Sequence, residues 1–441
     1  MSNLNRAVVI GASVGGLLAA RALSETYAEI TLIDRDRLPI EATSRKAVPQ
    51  GRQLHVLLAR GRQALEELFP GLSDELASRG APLVDLHGEV HWCNDGFDML
   101  RAPSSLLAFG LSRPMLEHVL RQRVAAMPGV RIMAGHEVVD LITTPDRTRI
   151  TGVRVRPQDS DAVPDAIEAD LVVDAGGRAS RTPVWLTALG YQPPEQEQVP
   201  VGVTYVTRTY QREPGQLAGM MGVLTNATPR LPRAGIVAPQ EDGRFAVALS
   251  GMLGEEPPTD DEGMGAFADT LAAPGVAEIV RTAKPLSPPA KMRFPASVRR
   301  RYEQLHDFPD GYLVIADALC SFNPIYGQGM TVAALEALLL RRLLARRQER
   351  LAHQFFRRSA KIIDGPWSIS VGTDLRFPEV PGRRTPLVRF VNAYVHRLHA
   401  AATADPVLGA AFLRVINLID PPTALLAPGI MRRVVFGARP T

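Results

Sequence analysis

The first thirty-four residues constrain this chain more than any other stretch. Residues 7–10 are an apolar run, followed at once by Gly11-Ala-Ser13-Val-Gly15-Gly16. The spacing then predicts a helix over 14–25 and a second strand over 29–34, ending on Asp34. Strand, glycine turn, helix, strand and terminal acid are the parts of a dinucleotide site. A pyrophosphate needs close backbone approach and free amides at a helix start. Gly11 permits the tight turn, small Ser13 stands where a second glycine is usual, Gly15 continues the loop, and Gly16 lets helix pack on strand. Asp34 lies at the offset expected of an acid that binds a ribose hydroxyl, with Arg35 beside it. A carboxylate there repels a 2′-phosphate, so the site suits FAD or NAD rather than NADP.

The 441 residues exceed what one core usually organises, and two closely joined domains are expected. The net charge of +4 is spread thinly. No basic run is interleaved with aromatics, which argues against nucleic acid as a partner. Two cysteines, Cys93 and Cys320, make neither a disulfide framework nor a metal-ligand pattern, so no metal site and a reducing, cytoplasmic setting are expected. No signal-peptide pattern opens the sequence and no apolar run is long enough to span a bilayer.

Further along, hydrophobic spacing predicts a basic loop over 41–53 and a helix over 53–69. Short antiparallel strands are expected within 83–111, and a helix over 113–127 with Ser112 as its N-cap and Pro114 in its first turn. Runs at 130–133, 137–143 and 150–155 suggest a small sheet. Residues 169–173 read as a buried strand ending at Asp174. Alternation over 199–251 suits the wall of a β domain. Helices are expected over 262–271, 276–283 and 330–346, and a strand over 312–315. The tail, 351–441, reads as helices broken at Pro366, Pro378, Pro381, Pro386, Pro406 and Pro421.

A second motif separates FAD from NAD. The 312–315 strand runs into Ala316-Asp317-Ala318, then Asn323-Pro324-Ile-Tyr326-Gly327-Gln-Gly329-Met330 and a helix. A carboxylate at a strand end can accept hydrogen bonds from a ribityl chain. Amides around a glycine-containing helix start can face a flavin's pyrimidine edge, where negative charge gathers on reduction. Pro324, Gly327, Gly329 and Met330 are therefore expected at the cofactor.

With these motifs the sequence resembles the FAD-dependent monooxygenases of the aromatic-hydroxylase type. Their glycine fingerprint, middle Asp-Gly segment and late Gly-Asp segment occur here in order, over roughly the first 340 residues. Within that family the resemblance points to bacterial epoxidases and hydroxylases of polyether and terpenoid pathways. It is carried by 45–55 (RKAVPQGRQLH), 112–117 (SRPMLE), 169–178 (ADLVVDAGGR) and 322–330 (FNPIYGQGM), with a further matching segment from Trp367 to Pro378. The resemblance implies FAD contacts for Arg113 and for Val138 near the adenine, and for Asp174 in the middle segment. It also implies a place near the isoalloxazine for Arg45 and Lys46. Two departures stand out. Ala316 replaces the usual glycine, a small change expected to be tolerated. Gly176 stands at the position of the hydroxylases' middle aspartate. NADPH or NADH is then the electron source, and the altered segment favours a separate flavin reductase as intermediary.

The fold implied is α/β: a Rossmann-like FAD-binding domain interleaved with a mostly antiparallel β-sheet substrate domain, plus a helical C-terminal region. The FAD-binding parts are 1–82, 112–198 and 301–350, the substrate-domain parts 83–111 and 199–300, and the helical region 351–441. The implied activity transfers one oxygen atom from O2 to a large, mainly hydrophobic small molecule in bacterial secondary metabolism. No catalytic residue is assigned, because the cofactor carries the chemistry. His55, placed on an apolar helix face, reads as a structural histidine rather than a base. The rival functions are a flavin-dependent reductase of isoprenoid double bonds and a non-catalytic flavin- or ligand-binding protein. A halogenase would need a tryptophan-rich stretch, and Trp92, Trp185 and Trp367 are widely separated.

Overall fold

The computed structural model describes residues 5–46 and 48–437. The apolar opening run becomes the strand Arg6–Ile10, whose Ala7, Val8 and Val9 are fully buried. It is the centre of a five-stranded parallel sheet in the order Tyr312–Val314, Leu171–Asp174, Arg6–Ile10, Glu29–Asp34, Val130–Ala134. Ile10 stands beside Ile33 on one side and Asp174 on the other. Because all five strands run the same way, their carboxyl ends bring Gly11, Asp34, Asp174 and the 316–318 turn to one edge. This is the edge at which open parallel sheets bind ligands. The helices Val14–Leu23 and Gly329–Ala345 pack against one another.

The second large sheet has eight strands in the order Cys320–Ser321, Ala290–Arg300, Gln196–Gln211, Arg244–Gly251, Arg233–Gln240, Gly222–Thr225, Val90–Asn94, Phe97–Asp98. Its pairings are antiparallel except Gly222–Thr225 with Val90–Asn94. Cys320–Ser321 follows directly on the Asp317 turn and pairs with Ala290–Arg300. The late motif is thus hydrogen-bonded into the second sheet.

Several expectations are corrected. Residues 53–69 are not one helix: Val56–Leu57 is a short strand paired with Leu107–Gly110, and the helix is Ala59–Leu68. Backbone pairing at Val56 and Leu57 outweighs the helical spacing of the leucines. The run at 130–133 does not join the small sheet. It is the edge of the parallel sheet, and Asp165–Glu168 takes its place beside Ile150–Pro157 and His136–Thr143. Pro366 does not break the tail: the helix Leu351–Asp374 runs through it. Pro366 is buried there, so tertiary packing offsets the roughly 3 kcal/mol helix penalty of proline. The tail helices Pro386–Ala401 and Pro406–Ile416 bury Leu398, Leu408 and Leu413 in a cluster with Leu86, Trp92 and Met99.

Candidate active site

The glycine turn shows why each small residue is needed. Gly11 has φ +98°, and a Cβ on it would stand 2.8 Å from the Ala175 carbonyl oxygen. A Cβ on Gly16 would stand 1.8 Å from the Gly11 carbonyl oxygen, which rules out any side chain. A Cβ on Gly15 would meet Ala316 Cβ at 2.9 Å, so the first and late motifs touch here. The hydroxyl of Ser13, N-cap of Val14–Leu23, makes no hydrogen bond to the first helical turn. Instead Ser13 Oγ donates to Glu117 Oε2 (2.9 Å) and accepts from Arg113 Nη2 (3.0 Å). A helix start left without a side-chain cap is suited to an anion.

Asp34 is 6% exposed. Its Oδ2 accepts from the Ala12 amide at 2.8 Å, and its Oδ1 accepts from the Asp36 amide and from Arg45 Nη1, both at 2.9 Å. Oδ2 has a further acceptor site beyond the one that the Ala12 amide takes. Arg45 also donates to Asp36 (3.1 Å) and Glu117 (2.8 Å). Burial opposes its charge, but Asp34 and Glu117 more than offset that and raise its pKa. Its guanidinium therefore stands with Asp34, Asp36 and Glu117. Lys46 is exposed and does not line the cavity.

The helix Arg113–Ala125 starts as expected, with Ser112 Oγ accepting from the Met115 amide at 3.2 Å. Its Glu117, one turn after Arg113, was not singled out from sequence. It is the buried acid that connects Ser13, Arg45 and Arg113. The i, i+4 spacing was the available signal. Burial tends to raise the Glu117 carboxyl, but Arg113 and Arg45 hold it below the usual range. Val138 lies on the wall with His136 and Glu137, and exposed Arg35 also lines the cavity.

In the middle segment the Asp174 carboxylate accepts from the Gly176 amide (2.7 Å) and from the Ser180 and Thr182 hydroxyls (both 2.5 Å). It holds the 175–182 turn in place, and Ala175 to Arg178 face the cavity. Desolvation pushes the Asp317 carboxyl up, opposed by Arg113 and Arg178. A Cβ on Gly329 would stand 3.8 Å from Asp317 Oδ1, so the carboxyl sits at the start of Gly329–Ala345. The Asn323-Pro324-Ile-Tyr326 turn is held from the tail: Asp374 accepts from Asn323 Nδ2 (3.0 Å) and Tyr326 Oη (2.8 Å). Burial raises the Asp374 carboxyl to about 6, against those two hydrogen bonds. This contact gives a structural basis for the matching segment around Asp374.

His55 is not on a helix. It precedes Val56–Leu57, with Nδ1 2.9 Å from the Gln53 carbonyl oxygen. Burial, with Arg113 nearby, lowers its pKa to about 4, so the ring is neutral and Nδ1–H donates.

A cavity of about 1440 Å3 connects these parts. Ligand pockets usually measure about 300–1,000 Å3, so this one has room for a dinucleotide and a second large ligand. One end holds Gly11, Ser13, Asp34 and Arg113; the other is lined by Leu86, Trp92, Leu224, Ile236, Tyr394 and Phe412. Strand residues from both the 83–111 and the 199–251 segments line it. Met292, Phe294 and much of the tail, from Trp367 to Leu426, were missed. FAD fits this cavity. The glycine cradle has no space for side chains, and buried Arg45 Nη2, Gln53 Oε1 and Gln328 Oε1 on the wall lack partners among the described residues. Orphaned polar atoms call for a polar ligand. Among the described residues no His, Cys, Asp and Glu cluster could hold a metal ion, and no helix is long and apolar enough to cross a membrane.

Comparison with known proteins agrees with this geometry. The family model described as "FAD binding domain" matches residues 5–352. Protein Rv3254 of Mycobacterium tuberculosis is 35% identical over 435 residues, covering 94% of this chain and 90% of that protein. Kynurenine 3-monooxygenase of Drosophila melanogaster is 25% identical over 357 residues, 77% and 70% of the two chains. The solved structure of Pseudomonas aeruginosa PqsL in complex with 2-aminobenzoylacetate superposes with a TM-score of 0.62 at 17% identity, covering 94% and 100% of the two chains.

Proposed function

This chain belongs to the FAD-binding family of the aromatic-hydroxylase type, and from that premise we propose that it is an FAD-dependent monooxygenase acting on a large, mainly hydrophobic small molecule. The observation that carries the reading is the cavity, polar and glycine-cradled at one end and apolar at the other. When bound, FAD would supply the activation of O2 and the oxygen transfer. The chain's residues do the rest. Amides at the start of Val14–Leu23, with Arg113, would hold the pyrophosphate, and Asp34 the ribose. Asp317 would accept from the ribityl chain, and the 327–330 amides would face the ring's electron-rich edge. Val138 would pack by the adenine, and the Asp174-anchored turn would lie along the middle of the cofactor. The apolar wall and the tail helices exclude water and orient the substrate, which protects a reactive cofactor from hydrolysis.

The apolar lining suits epoxidation or hydroxylation of the kind found in bacterial secondary metabolism. Electrons would come from NADH or NADPH, directly or through a separate flavin reductase. The test is purification with a flavin spectrum, then oxygen uptake with NADPH, with NADH, and with NADH plus a flavin reductase, using labelled O2 and hydrophobic alkenes and phenols. Label in the product with yellow protein is the expected result. Colourless protein that refuses added flavin would end the proposal.

A further inference from the structure

Among the residues that line the cavity is a histidine that the cofactor site leaves unused. His399, on the helix Pro386–Ala401, is 5% exposed and lines the cavity. Its Nδ1 lies 2.9 Å from Asp95 Oδ2. Asp95 sits in the turn between Val90–Asn94 and Phe97–Asp98, with its side chain 3% exposed. A carboxylate only accepts, so His399 Nδ1 carries the proton. Asp95 Oδ1 is paired with Arg376, and the half-exposed His396 lies 3.2 Å from Oδ2. Arg376 balances the Asp95 charge, so a second buried positive charge on His399 has no counterpart. Burial lowers the His399 pKa, against the hydrogen bond that it donates to Asp95. The ring is therefore neutral, and Nε2 presents a lone pair. That atom is buried and has no partner among the described residues. Phe412 stands edge-on to the ring, with centroids 4.7 Å apart.

Nε2 is closed off even from water, so a hydroxyl reaches it only when a side-chain shift opens the ring's edge; an unpaired acceptor uncovered in this way on the wall of a substrate cavity selects for a donor. We propose that His399, held by Asp95, is a specificity-determining residue that accepts a hydrogen bond from a neutral hydroxyl of the substrate. A carboxylate there is repelled by the lone pair, and an ether or hydrocarbon leaves Nε2 unsatisfied. This deepens the monooxygenase reading, since it takes the cavity's apolar end as the substrate site. The substrate class becomes an apolar body ending in an alcohol or phenol.

The probes are 2-naphthol and 2-methoxynaphthalene, titrated by fluorescence into the flavin-loaded chain. The native chain is expected to bind 2-naphthol about tenfold more tightly, the usual scale of a buried acceptor left unsatisfied. His399→Leu is expected to abolish that preference by weakening 2-naphthol alone, with the flavin spectrum unchanged. His399→Gln, which keeps an acceptor, should retain part of it. A second readout uses the native chain labelled with nitrogen-15 histidine. One acceptor-type nitrogen signal, absent from His399→Gln, should move with 2-naphthol and not with its ether. An unchanged preference in His399→Leu, an unmoved signal, or no binding of either probe at millimolar concentration overturns the proposal. A flavin-loaded chain that discriminates the probes but consumes no oxygen would instead sink the monooxygenase reading and leave this one standing.

Discussion

Ala316 has φ +60°, in the left-handed region that favours glycine. Its amide donates to Glu336 Oε2 at 2.8 Å, which holds it there. A left-handed alanine costs roughly 1–2 kcal/mol, while glycine adds up to about 1 kcal/mol of backbone entropy to the unfolded chain. Ala316→Gly is therefore expected to stabilise the protein slightly, by at most about 1 kcal/mol, with flavin retained; a lower urea midpoint would contradict this. Asp317→Ala is expected to weaken flavin binding by about tenfold or more, the scale of a hydrogen bond to a charged or strongly polar group. Equilibrium dialysis showing full flavin retention would count against the carboxyl's proposed contact. Ser13→Leu should block the pyrophosphate outright, and unchanged flavin affinity would refute that. These three residues were visible in the sequence because strand-end and glycine-turn positions carry local conformational requirements. Glu117 was not, because its role depends on Ser13 and Arg45, both distant in sequence.

Two helices carry buried carboxyls that set the late motif. Glu336, inside Gly329–Ala345, is fully buried, and desolvation raises its pKa to about 8 despite the Ala316 amide. Between its ordinary value and 8 the folded chain holds a proton that the unfolded chain has released. The sign of the linkage is that stability falls as pH rises through this window and the loss is complete above about 8. Glu336→Gln should flatten that slope, and denaturation midpoints at pH 5 and 8 for both proteins decide it. Asp374 closes the helix Leu351–Asp374 and ties it to Asn323 and Tyr326. Asp374→Ala strands the buried Asn323 amide, at about 1–3 kcal/mol, and also releases the half-buried Tyr326 hydroxyl. Both a lower melting temperature and a raised flavin dissociation constant are expected; a change in melting temperature alone would separate the helix from the flavin loop. Hydrophobic spacing located Gly329–Ala345 well, but the reading of the tail placed a break at Pro366 where burial keeps the helix continuous.

On the scale of the whole molecule, the cofactor is expected to bridge segments that are far apart in the chain, near Gly11, Asp174 and Asp317. A ligand that binds only the folded form stabilises it by about 2.7 kcal/mol at a hundredfold excess over its dissociation constant. Stripping the flavin should lower the melting temperature by several degrees, and a melt unaffected by added FAD would count against the bridge. The two sheets are not separable lobes, since Cys320–Ser321 leaves the flavin motif and pairs into the large sheet. Tail residues from Trp367 to Leu426 line the same cavity, so on the proposed reading substrate selection and water exclusion would belong to all three regions at once.

Local chain chemistry by itself determined the strand, glycine turn and helix of the opening, the place of Asp34 at the end of its strand, the capped helix at Ser112 and the turn that carries Asp317. Each depends on backbone geometry and neighbours within a few residues. Tertiary structure alone decided where Arg45 points, that Val130–Ala134 joins the parallel sheet, that the tail lines the cavity, and that Asp95 meets His399 across a separation of 304 residues. Those outcomes follow from burial and charge pairing between distant segments, and no periodicity in a linear sequence encodes which distant partner a buried charge will find.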